Sequence, residues 1–512
     1  MTTPREVVIG LDVGTTSVKA VAFALGSSWR QLAIREYRLM QPMPDQEVQD
    51  PAAIIAATAA ALAECVAAVD SAKVLAISVS TGMHGLMALD GRHQPLTPLL
   101  TWADARAREE ARWLRTSGQA RALHALTGTP VHPMSPLTKL MWFAHHESAI
   151  WSAVRWWVGL KDYVLLWLTG SLVTELSSAS GTGLLDMSAR AWSPEATAVC
   201  GVPIDHLPPI LATTATLPLN ATTAAQVGLP AGVPVVVGAA DGPLGNLGTA
   251  AVEPGVAGLS LGTSGAVRTV VQQPCVDQDG TLFCYALTDS AWFIGGAISN
   301  GGVVLRWAGG ALAGDVSAAA GSGGADAAVI ELASSVPAGS DGLVMLPYLL
   351  AERAPLWDPD LPGAYLGLRR EHTRAHMIRA AIEGVCLQMR LILDHLDEIQ
   401  PVSSVRATGG VFRSALWRDV MAAMLARPVY VVDGAEGTAL GAAILGLLGI
   451  GGAPTLADAA SRFTDPEATP PAAVVVDPAL AGTYDRLYSS VPALIGSLDS
   501  VAALFTRKVR SG

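Results

Sequence analysis

Two runs of apolar residues that end at glycines dominate the hydrophobic pattern of the first half of the chain. Residues 74–80 read Val-Leu-Ala-Ile-Ser-Val-Ser, and residues 233–237 read Val-Pro-Val-Val-Val. Strands that are apolar on both faces are typical of parallel sheets covered by helices. The second run brings Asp241 to its carboxyl end, where ligands gather in open α/β sheets. The pattern therefore predicts an α/β protein with a ligand site at this edge of the sheet.

Two longer apolar stretches raise the question of a membrane span. Residues 52–69 are interrupted by Thr58, Glu64 and Cys65, and residues 440–450 are few and rich in glycine. A membrane-spanning helix needs about 20 predominantly apolar residues. Both stretches therefore predict buried helices, and we expect no membrane partner.

The second half of the chain repeats the alternation of strands and helices. A helical pattern covers residues 373–399, and a strand followed by two glycines covers residues 405–410. Residues 309–328 are rich in Gly, Ala and Ser, which predicts a surface insertion or a mobile loop.

A Gly-Thr turn bordered by β-branched residues occurs once in each half. Residues 10–19 read Gly-Leu-Asp-Val-Gly-Thr-Thr-Ser-Val-Lys, and residues 258–265 read Gly-Leu-Ser-Leu-Gly-Thr-Ser-Gly. The backbone N–H groups and hydroxyls of such turns suit phosphate oxygens. Two copies indicate a duplicated domain with a polyphosphate held between the copies. Asp12 stands in the first copy where the second has Ser260, so only the first copy is expected to help hold a metal ion.

Length and composition fit two large domains. The chain has 512 residues, of which 51% are hydrophobic and 15% charged, so a large core can be buried. We predict a first domain at residues 1–250 and a second at residues 251–512. The net charge of −11 disfavours nucleic acid and anionic membranes as partners. The five cysteines are odd in number and include no Cys-x-x-Cys pair, which indicates buried thiols in a reducing, cytoplasmic compartment.

Three common catalytic motifs are absent from the sequence: the Gly-x-x-x-x-Gly-Lys-Ser/Thr loop, Gly-x-Gly-x-x-Gly after a strand, and His-Glu-x-x-His. What remains is a set of polar turns bounded by glycine at predicted strand ends. These turns lie at Asp12, residues 80–85, Asp241, residues 262–263 and residues 409–410. Several polar turns that all lie at strand ends are what an active cleft requires.

These stretches resemble the FGGY carbohydrate kinases, of the actin, Hsp70 and hexokinase ATPase class, over nearly the whole chain. The matching stretches are residues 10–19, 81–106, 159–170, 238–245, 258–268, 352–359 and 408–446. Within the family the chain is most similar to the gluconate kinases, through residues 81–87, 101–106, 127–136, 262–268 and 352–355. Xylulokinases share the Met-His-Gly turn of residues 83–85, so this turn alone does not identify the sugar.

The resemblance implies an α/β fold of two actin/hexokinase-like (ribonuclease H-like) domains with an active-site cleft between them. The first domain would bind the sugar and carry the first phosphate loop and the catalytic Asp, and the second would bind the nucleotide. It also implies ATP as co-substrate, Mg²⁺ as the metal and a small sugar acid as acceptor. A homodimer is one assembly that the resemblance allows.

The resemblance further assigns roles to the polar residues. Asp241 would be the general base that takes a proton from a sugar hydroxyl, and it would also face the metal. A carboxylate suits this role because phosphoryl transfer needs mainly positioning and charge neutralisation. Asp12 would hold Mg²⁺ through water. The ATP-binding residues would be Thr15, Thr16, Lys19, Thr263, Ser264, Gly302, Gly409, Gly410 and Ser414.

On the sugar side, the residues that match the family are Met83, His84, Asp104, Met134 and Ser135. Asp104 fits nearly as well as a carboxylate at a helix N-terminus. His132 and Lys139 line up with the same substrate-facing segment of the family as Met134 and Ser135, but a lone histidine is more often structural. A gluconate carboxylate must meet a cation or an amide donor. Arg106, Lys139 and Arg353 are the candidates, and the sequence does not choose among them.

The resemblance therefore favours ATP-dependent phosphorylation of D-gluconate to 6-phospho-D-gluconate. A xylulokinase or another pentulose or polyol kinase is the enzymatic alternative. The non-enzymatic alternative is a nucleotide-binding regulatory protein on the same fold. The presence of both Asp12 and Asp241 disfavours the regulatory protein, because a protein that only binds nucleotide needs no base on the sugar side.

Overall fold

The computed structural model describes residues 6–320, 324–432, 436–464 and 471–497. The chain divides into two compact units. The first unit comprises Met1–Glu253, Val270–Ile294 and Gly434–Pro470, and the second comprises Pro254–Thr269, Gly295–Asp433 and Pro471–Gly512. The expected domain boundary at about residue 250 stays a prediction.

A six-stranded mixed sheet forms the centre of the first unit. Its strands, in order across the sheet, are Thr216–Pro218, Pro234–Ala240, Val74–Thr81, Val7–Val13, Ser17–Ala24 and Arg30–Glu36. Val7–Val13 forms an antiparallel hairpin with Ser17–Ala24 and pairs in parallel with Val74–Thr81. Val74–Thr81 pairs in parallel with Pro234–Ala240. The carboxyl ends of the three parallel strands therefore lie at one edge.

Helices cover both faces of this sheet, which explains the continuous apolar runs. On the strand Val7–Val13, Ile9 and Leu11 face one core that contains Leu62, whereas Val8 faces another that contains Leu445. Gly10 allows the helix Gly437–Gly449 to approach the strand, because a Cβ at this position would lie 1.9 Å from the Ala439 carbonyl oxygen. A buried strand of this kind needs apolar side chains on both faces.

The second unit repeats the same strand arrangement. Five of its strands run in the order Gly265–Val271, Val256–Leu261, Ser404–Thr408, Val429–Val431 and Ala473–Val474. Val256–Leu261 forms an antiparallel hairpin with Gly265–Val271 and pairs in parallel with Ser404–Thr408. Each Gly-Thr turn thus closes a hairpin whose first strand lies beside a parallel strand. The predicted duplication is confirmed at the level of this topology.

The remaining elements are mainly helical. The helices of the first unit are Pro51–Ala67, Arg108–Thr116, Ala120–Thr127, Pro136–His146, Ser148–Ala153, Leu160–Thr169, Leu176–Ser180, Pro194–Cys200, Ala221–Val227, Asp241–Gly248, Gly437–Gly449 and Leu456–Ser461. Those of the second are Gly302–Leu312, Gly314–Ala320, Ala325–Ser334, Arg374–Ile399, Ala415–Leu425 and Pro478–Tyr488. Short 3₁₀ turns are Ser71–Lys73, Ile204–His206, Ser340–Gly342 and Gly410–Arg413. The other strands are Val48–Gln49, Met87–Leu89, Leu99–Leu100, Trp156–Val158, Thr174–Glu175, Leu185–Asp186, Ala191–Trp192, Ile210–Leu211, Phe283–Thr288, Ala291–Ile298, Val344–Leu346 and Ala364–Leu366.

The prediction of a loop at residues 309–328 is wrong for most of that stretch. The helices Gly302–Leu312, Gly314–Ala320 and Ala325–Ser334 occupy most of this stretch, and residues 321–323 lie outside the described part. Its many alanines have the highest helix propensity of any residue and offset the glycines. Val329 and Ala333 add buried contacts on one face of the last helix.

The two stretches that raised the question of a membrane span are confirmed as buried helices, Pro51–Ala67 and Gly437–Gly449. Across the ranges described above, no helix combines the length and apolar character that crossing a bilayer requires.

Candidate active site

Two carboxylates lie at the carboxyl edge of the first-unit sheet. Asp12 is the last residue but one of Val7–Val13, and Asp241 directly follows Pro234–Ala240 as the first residue of a helix. The Ser80 hydroxyl donates a 2.9 Å hydrogen bond to Asp12. Burial raises the pKa of Asp12, while this bond and the charges of Lys19 and Lys161 act in the opposite direction. The sequence prediction that both acids lie at strand ends is confirmed, and the structure adds that the two strands belong to one sheet.

The first Gly-Thr turn presents one anchored and one exposed hydroxyl. The Thr15 hydroxyl accepts a 3.2 Å hydrogen bond from Trp102 Nε1, and its carbonyl accepts one from the Gln49 amide. Thr16 is exposed. Lys19 stands opposite Asp12 in the hairpin register. The turn therefore places hydroxyls and a cation next to an acid.

Met83 and His84 form a tight turn after the strand Val74–Thr81. His84 has a φ of 63°, in the left-handed region that non-glycine residues seldom adopt. Its Nδ1 lies 2.7 Å from the Gly181 carbonyl oxygen. Lys139 Nζ donates hydrogen bonds to two carbonyl oxygens, that of His84 at 2.8 Å and that of Thr101 at 2.6 Å. Burial lowers the pKa of Lys139 to about 7. The turn is thus held by a buried lysine.

Asp104 is engaged in structural contacts. Both of its oxygens accept from Arg106, at 2.8 and 2.9 Å, and one also accepts from the Glu47 backbone at 3.0 Å. Met134 and Ser135 are buried where the helix Pro136–His146 begins. These contacts favour the structural interpretation of Asp104.

Each cation considered for a substrate carboxylate already has partners. Arg106 is paired with Asp104, and Lys139 binds two carbonyl oxygens. Arg353, in the second unit, donates to the Ile298 carbonyl at 2.7 Å and to the Ser299 hydroxyl at 3.2 Å. None of the three cations is therefore set apart by its contacts as the partner of a substrate carboxylate.

The second unit contains a cavity of about 740 Å³, within the range of small-molecule sites. Five predicted or neighbouring residues line it together: Gly262, Thr263, Gly302, Gly410 and Ser414. Ser264 and Gly409 are adjacent to these residues in the chain. Ser414 caps the helix Ala415–Leu425. The residues expected to contact nucleotide in the second half thus converge on one cavity.

Backbone contacts explain the glycines around this cavity. The Gly302 N–H donates to the Gly262 carbonyl at 2.7 Å, and the N–H groups of Gly301 and Val303 donate to that of Thr263 at 3.2 Å. Gly409 has a φ of 127°, and a Cβ there would lie 2.0 Å from the Leu261 carbonyl oxygen. The second Gly-Thr turn is therefore joined directly to the helix that begins at Gly302.

Several lining residues escaped the sequence analysis, namely Arg306, Asp326, Ile330, Glu331, Arg413 and Trp417. Arg306 Nη2 donates a 2.9 Å hydrogen bond to the Thr263 hydroxyl. Its position one helical turn after Gly302 was a usable signal, since residues four apart share one helix face. Asp326 was missed because residues 309–328 were interpreted as a surface insertion or loop, whereas Ile330 and Glu331 lie beyond that stretch, where no helix was predicted.

The profile described as the FGGY family of carbohydrate kinases, N-terminal domain, matches residues 7–248. The profile of the C-terminal domain of the same family matches residues 257–450. The chain therefore belongs to the FGGY family of carbohydrate kinases, as the resemblance implied.

Named relatives include both gluconate and xylulose kinases. The chain is 38% identical to a gluconokinase of Bacillus subtilis (strain 168) over 448 residues, which cover 86% of this chain and 87% of that protein. It is 31% identical to a xylulose kinase of Klebsiella pneumoniae over 444 residues, covering 85% and 89%. Sequence identity is thus higher to the gluconokinase.

Solved structures do not separate the two activities. A ligand-bound xylulose kinase from Lactobacillus acidophilus matches with a TM-score of 0.91 and 30% identity, and covers 98% of this chain and 99% of its own. A gluconate kinase from the same organism matches with a TM-score of 0.90 at the same identity and coverage. The fold is common to both kinds of kinase.

Proposed function

We propose that this carbohydrate kinase phosphorylates D-gluconate on its terminal primary hydroxyl, with ATP as donor, to give 6-phospho-D-gluconate. The observation that carries the proposal is the 38% identity to a gluconokinase over 86% of the chain, against 31% for a xylulose kinase over a similar length. The stretches at residues 127–136, 262–268 and 352–355 support it further.

Asp241 is the proposed general base. As the hydroxyl oxygen of the sugar attacks the γ-phosphorus, its proton would pass to the Asp241 carboxylate, and the bond from the γ-phosphorus to the leaving oxygen of ADP would break. Such transfers depend mainly on alignment and charge neutralisation, so a carboxylate of modest basicity is sufficient. The position of Asp241 at the carboxyl edge of the sheet supports this role.

Asp12 is the proposed magnesium ligand, through water, with Asp241 facing the same ion. Within the described ranges no group of three or more His, Cys, Asp or Glu is placed to hold a metal. Mg²⁺ usually binds through one or two carboxylates together with water and substrate phosphates, so this pair of acids fits its preferences. When bound, the ion would neutralise charge on the phosphates.

The second-unit cavity is the proposed nucleotide site. Its volume of about 740 Å³ and its lining by Thr263, Gly302 and Gly410 support this assignment. Arg306 and Arg413 also line it, and planar guanidinium groups suit phosphate oxygens. Thr15, Thr16 and Lys19 would meet the phosphates from the first Gly-Thr turn.

Met83, His84, Met134 and Ser135 are the proposed sugar-facing residues. The buried pair of Asp104 and Arg106 would support this region and not contact the sugar directly. We also propose that the enzyme works in the cytoplasm, where a reducing environment suits its five free cysteines.

A panel of acceptors tests the proposal. We expect kcat/KM for D-gluconate to exceed that for D-xylulose, D-ribulose and glycerol by at least about tenfold, in an assay that couples ADP release to NADH oxidation. A cation or amide donor arranged to meet the substrate carboxylate loses that partner when a neutral ketopentose binds. Such a mismatch discriminates strongly between the two acceptors. Preference for xylulose would contradict the gluconate assignment alone. Nucleotide binding without turnover on any acceptor would favour a regulatory protein.

A further inference from the structure

The strand Pro234–Ala240, which directly precedes Asp241, contains a bulge at Val237 and Gly238, three residues before Asp241 at its nearest. Val236 stands opposite Ser78, but Ala239 stands opposite Ser80, so the strand Pro234–Ala240 has one residue more than its partner over this interval. Gly238 lies in the bulge with a φ of 75°, and a Cβ there would be 1.9 Å from the Val79 carbonyl oxygen. A bulge disrupts the hydrogen-bond ladder and redirects the side chains that follow.

Lys161 occupies this bulge with its ammonium group. Lys161 Nζ donates to the carbonyl oxygens of Val79, of Val237 at 2.9 Å and of Ala239 at 3.0 Å. Its residue is only 1% exposed. An ammonium group has three N–H donors, so one side chain satisfies three carbonyls on both strands. Lys161 therefore joins the two strands where their regular pairing is interrupted.

A buried acid, Glu175, adds to the arrangement at this strand end. Glu175 lies 3.9 Å from Lys161 Nζ and accepts hydrogen bonds from the N–H groups of Ser177 and Ser178. The Ser177 hydroxyl in turn accepts the Ala240 N–H at 3.2 Å. Side-chain hydrogen bonds thus engage the main chain of Val237, Ala239 and Ala240 immediately before Asp241.

Electrostatic interactions also connect Lys161 to the candidate active site. Burial lowers the pKa of Lys161 to about 8, while Glu175, Asp162, Asp241 and Asp12 raise it. The lysine therefore interacts electrostatically with both acids of the candidate active site. Its positive charge counteracts the effect of burial on the pKa of Asp12.

Lys139 offers a natural comparison. The chain has five lysines, and Lys139 and Lys161 are both buried, with exposures of 0% and 1%. Lys139 also binds carbonyl oxygens, but those of His84 and Thr101 beneath the turn of Met83 and His84. Both lysines thus donate hydrogen bonds to main-chain carbonyl oxygens, but on two different segments.

We propose that Lys161 is a positioning residue for phosphoryl transfer: it fixes the bulge before Asp241 and thereby sets the position of the base. The proposal rests on the proposed role of Asp241. It assigns Lys161 an effect on the chemical step, and it assigns Lys139 an effect on sugar binding.

Replacement of each lysine by methionine separates the two effects. We expect Lys161→Met to lower kcat by about 10²-fold, because misplacement of a reacting group by about 1 Å costs that much. Its KM for gluconate and its Kd for ADP should stay within about threefold of wild type. Lys139→Met should instead raise KM for gluconate at least about tenfold. A folded Lys161→Met enzyme with kcat within threefold, or with a change in KM alone, would overturn the proposal.

A double-mutant cycle with Asp241→Asn shows whether Lys161 acts through the base. If it does, adding Lys161→Met to Asp241→Asn should lower the residual rate less than about threefold; multiplying effects would contradict the proposal. Near-full turnover of Asp241→Asn would refute the base itself, and with it the proposed mechanism. Loss of turnover in Asp241→Asn but not in Lys161→Met would refute positioning alone.

Folding of the variants needs separate control, because Lys161→Met leaves the Glu175 charge buried without its partner. The double variant Lys161→Met/Glu175→Gln removes both charges and should show the same loss in kcat. If that variant also fails to fold, Ser177→Ala serves as the test. It removes a single oxygen atom, the hydroxyl oxygen that accepts the Ala240 N–H. We expect it to lower kcat about three- to tenfold at unchanged KM. An unchanged kcat would contradict the proposal.

Discussion

Asp12 and Ser260 occupy corresponding positions on the two Gly-Thr hairpins. Each lies on the first strand of its hairpin, two residues after a glycine, beside a parallel strand. Only the first copy thus has a carboxylate at this position, and this asymmetry motivates a test of the magnesium assignment.

Asp12→Ala should weaken the dependence of activity on Mg²⁺ and lower the maximal rate at least about tenfold, while KM for the sugar changes less than about twofold. The physical reason is that a carboxylate helps retain a hydrated Mg²⁺ ion beside the phosphates. The measurement is initial rate against free Mg²⁺ at saturating gluconate. Ser260→Ala, on the other hairpin, is the matched control and should leave the titration unchanged. An unaltered titration and rate for Asp12→Ala would remove the metal role from this residue.

Asp162 links residue-scale electrostatics to stability. It accepts the Gly159 N–H at 2.7 Å at the start of the helix Leu160–Thr169. Burial raises the pKa of Asp162 to about 7, although this bond and Lys161 act in the opposite direction. A raised pKa means that the folded state binds the proton more tightly than the unfolded state. The stability contribution is present below about pH 4 and is lost as pH rises through 7.

Asp162→Asn should therefore gain stability relative to wild type as pH rises from 5 to 7.5. The asparagine oxygen can still accept the Gly159 N–H, but it carries no charge to bury. The full effect is at most about 4 kcal/mol, since one pKa unit corresponds to about 1.4 kcal/mol. Melting temperatures of both proteins at the two pH values measure it, with Asp289→Asn at an exposed turn as control. A difference in melting temperature that stays constant with pH would contradict the assignment.

At the scale of elements, two consecutive glycines after the strand Ser404–Thr408 face different surroundings. Gly409 has a φ of 127°, and a Cβ there would meet the Leu261 carbonyl oxygen at 2.0 Å. A Cβ at Gly410 would meet no atom within 4 Å, and Gly410 lines the cavity of the second unit. The first glycine serves the packing of backbone on backbone, and the second leaves room for a ligand.

Gly409→Ala should destabilise the enzyme strongly, because it adds both backbone strain and a steric clash with main chain. Gly410→Ala should fold with nearly the wild-type melting temperature but bind ADP several-fold more weakly. Thermal unfolding and calorimetric ADP titration of the two variants separate these effects. Wild-type stability of Gly409→Ala, or unchanged ADP affinity of Gly410→Ala, would contradict the corresponding half of this prediction.

The elements that the sequence predicted well are those determined by local pattern. The Gly-Thr hairpins depend on turn residues, and the strand Val74–Thr81 depends on a continuous apolar run, so both are visible in a few consecutive residues. The bulge at Gly238 and the burial of Lys161 depend on strand register and on a distant helix. Because lysine is almost never fully buried unless it is paired, composition alone gives no reason to expect it there.

The candidate site shows the same division. Asp12 and Asp241 were found because they follow apolar runs, whereas Arg306 and Glu331 line the cavity through helices. The first four residues of the helix Ala325–Ser334 fell within the stretch predicted as a loop, where glycines outweighed the alanines in the pattern, and no helix was predicted for the rest. Segments of weak and mixed propensity take their structure from packing, which a single sequence does not display.

At the scale of the whole molecule, the duplicated hairpins belong to units that differ in what they carry. The first unit contains Asp12, Asp241 and the turn of Met83 and His84, and the second contains the cavity of about 740 Å³. The two acids and the proposed sugar-facing turn therefore belong to one unit, and the proposed nucleotide cavity belongs to the other.

Each ligand alone should therefore protect a different part of the chain against hydrogen exchange. We expect ADP to slow exchange most in the helices Gly302–Leu312 and Ala325–Ser334, and gluconate to slow it around residues 83–87 and 134–140. Ligand binding to the native state suppresses local opening. The helix Ala325–Ser334 has few buried residues, Val329 and Ala333 among them. It should therefore open readily without ligand, and bound ADP should slow its exchange strongly. Mass spectrometry of peptides from both units measures the protection, with xylulose in place of gluconate as the control ligand. Protection of the second-unit helices by gluconate alone, or their unchanged exchange with saturating ADP, would contradict the assignment of the two ligands to different units.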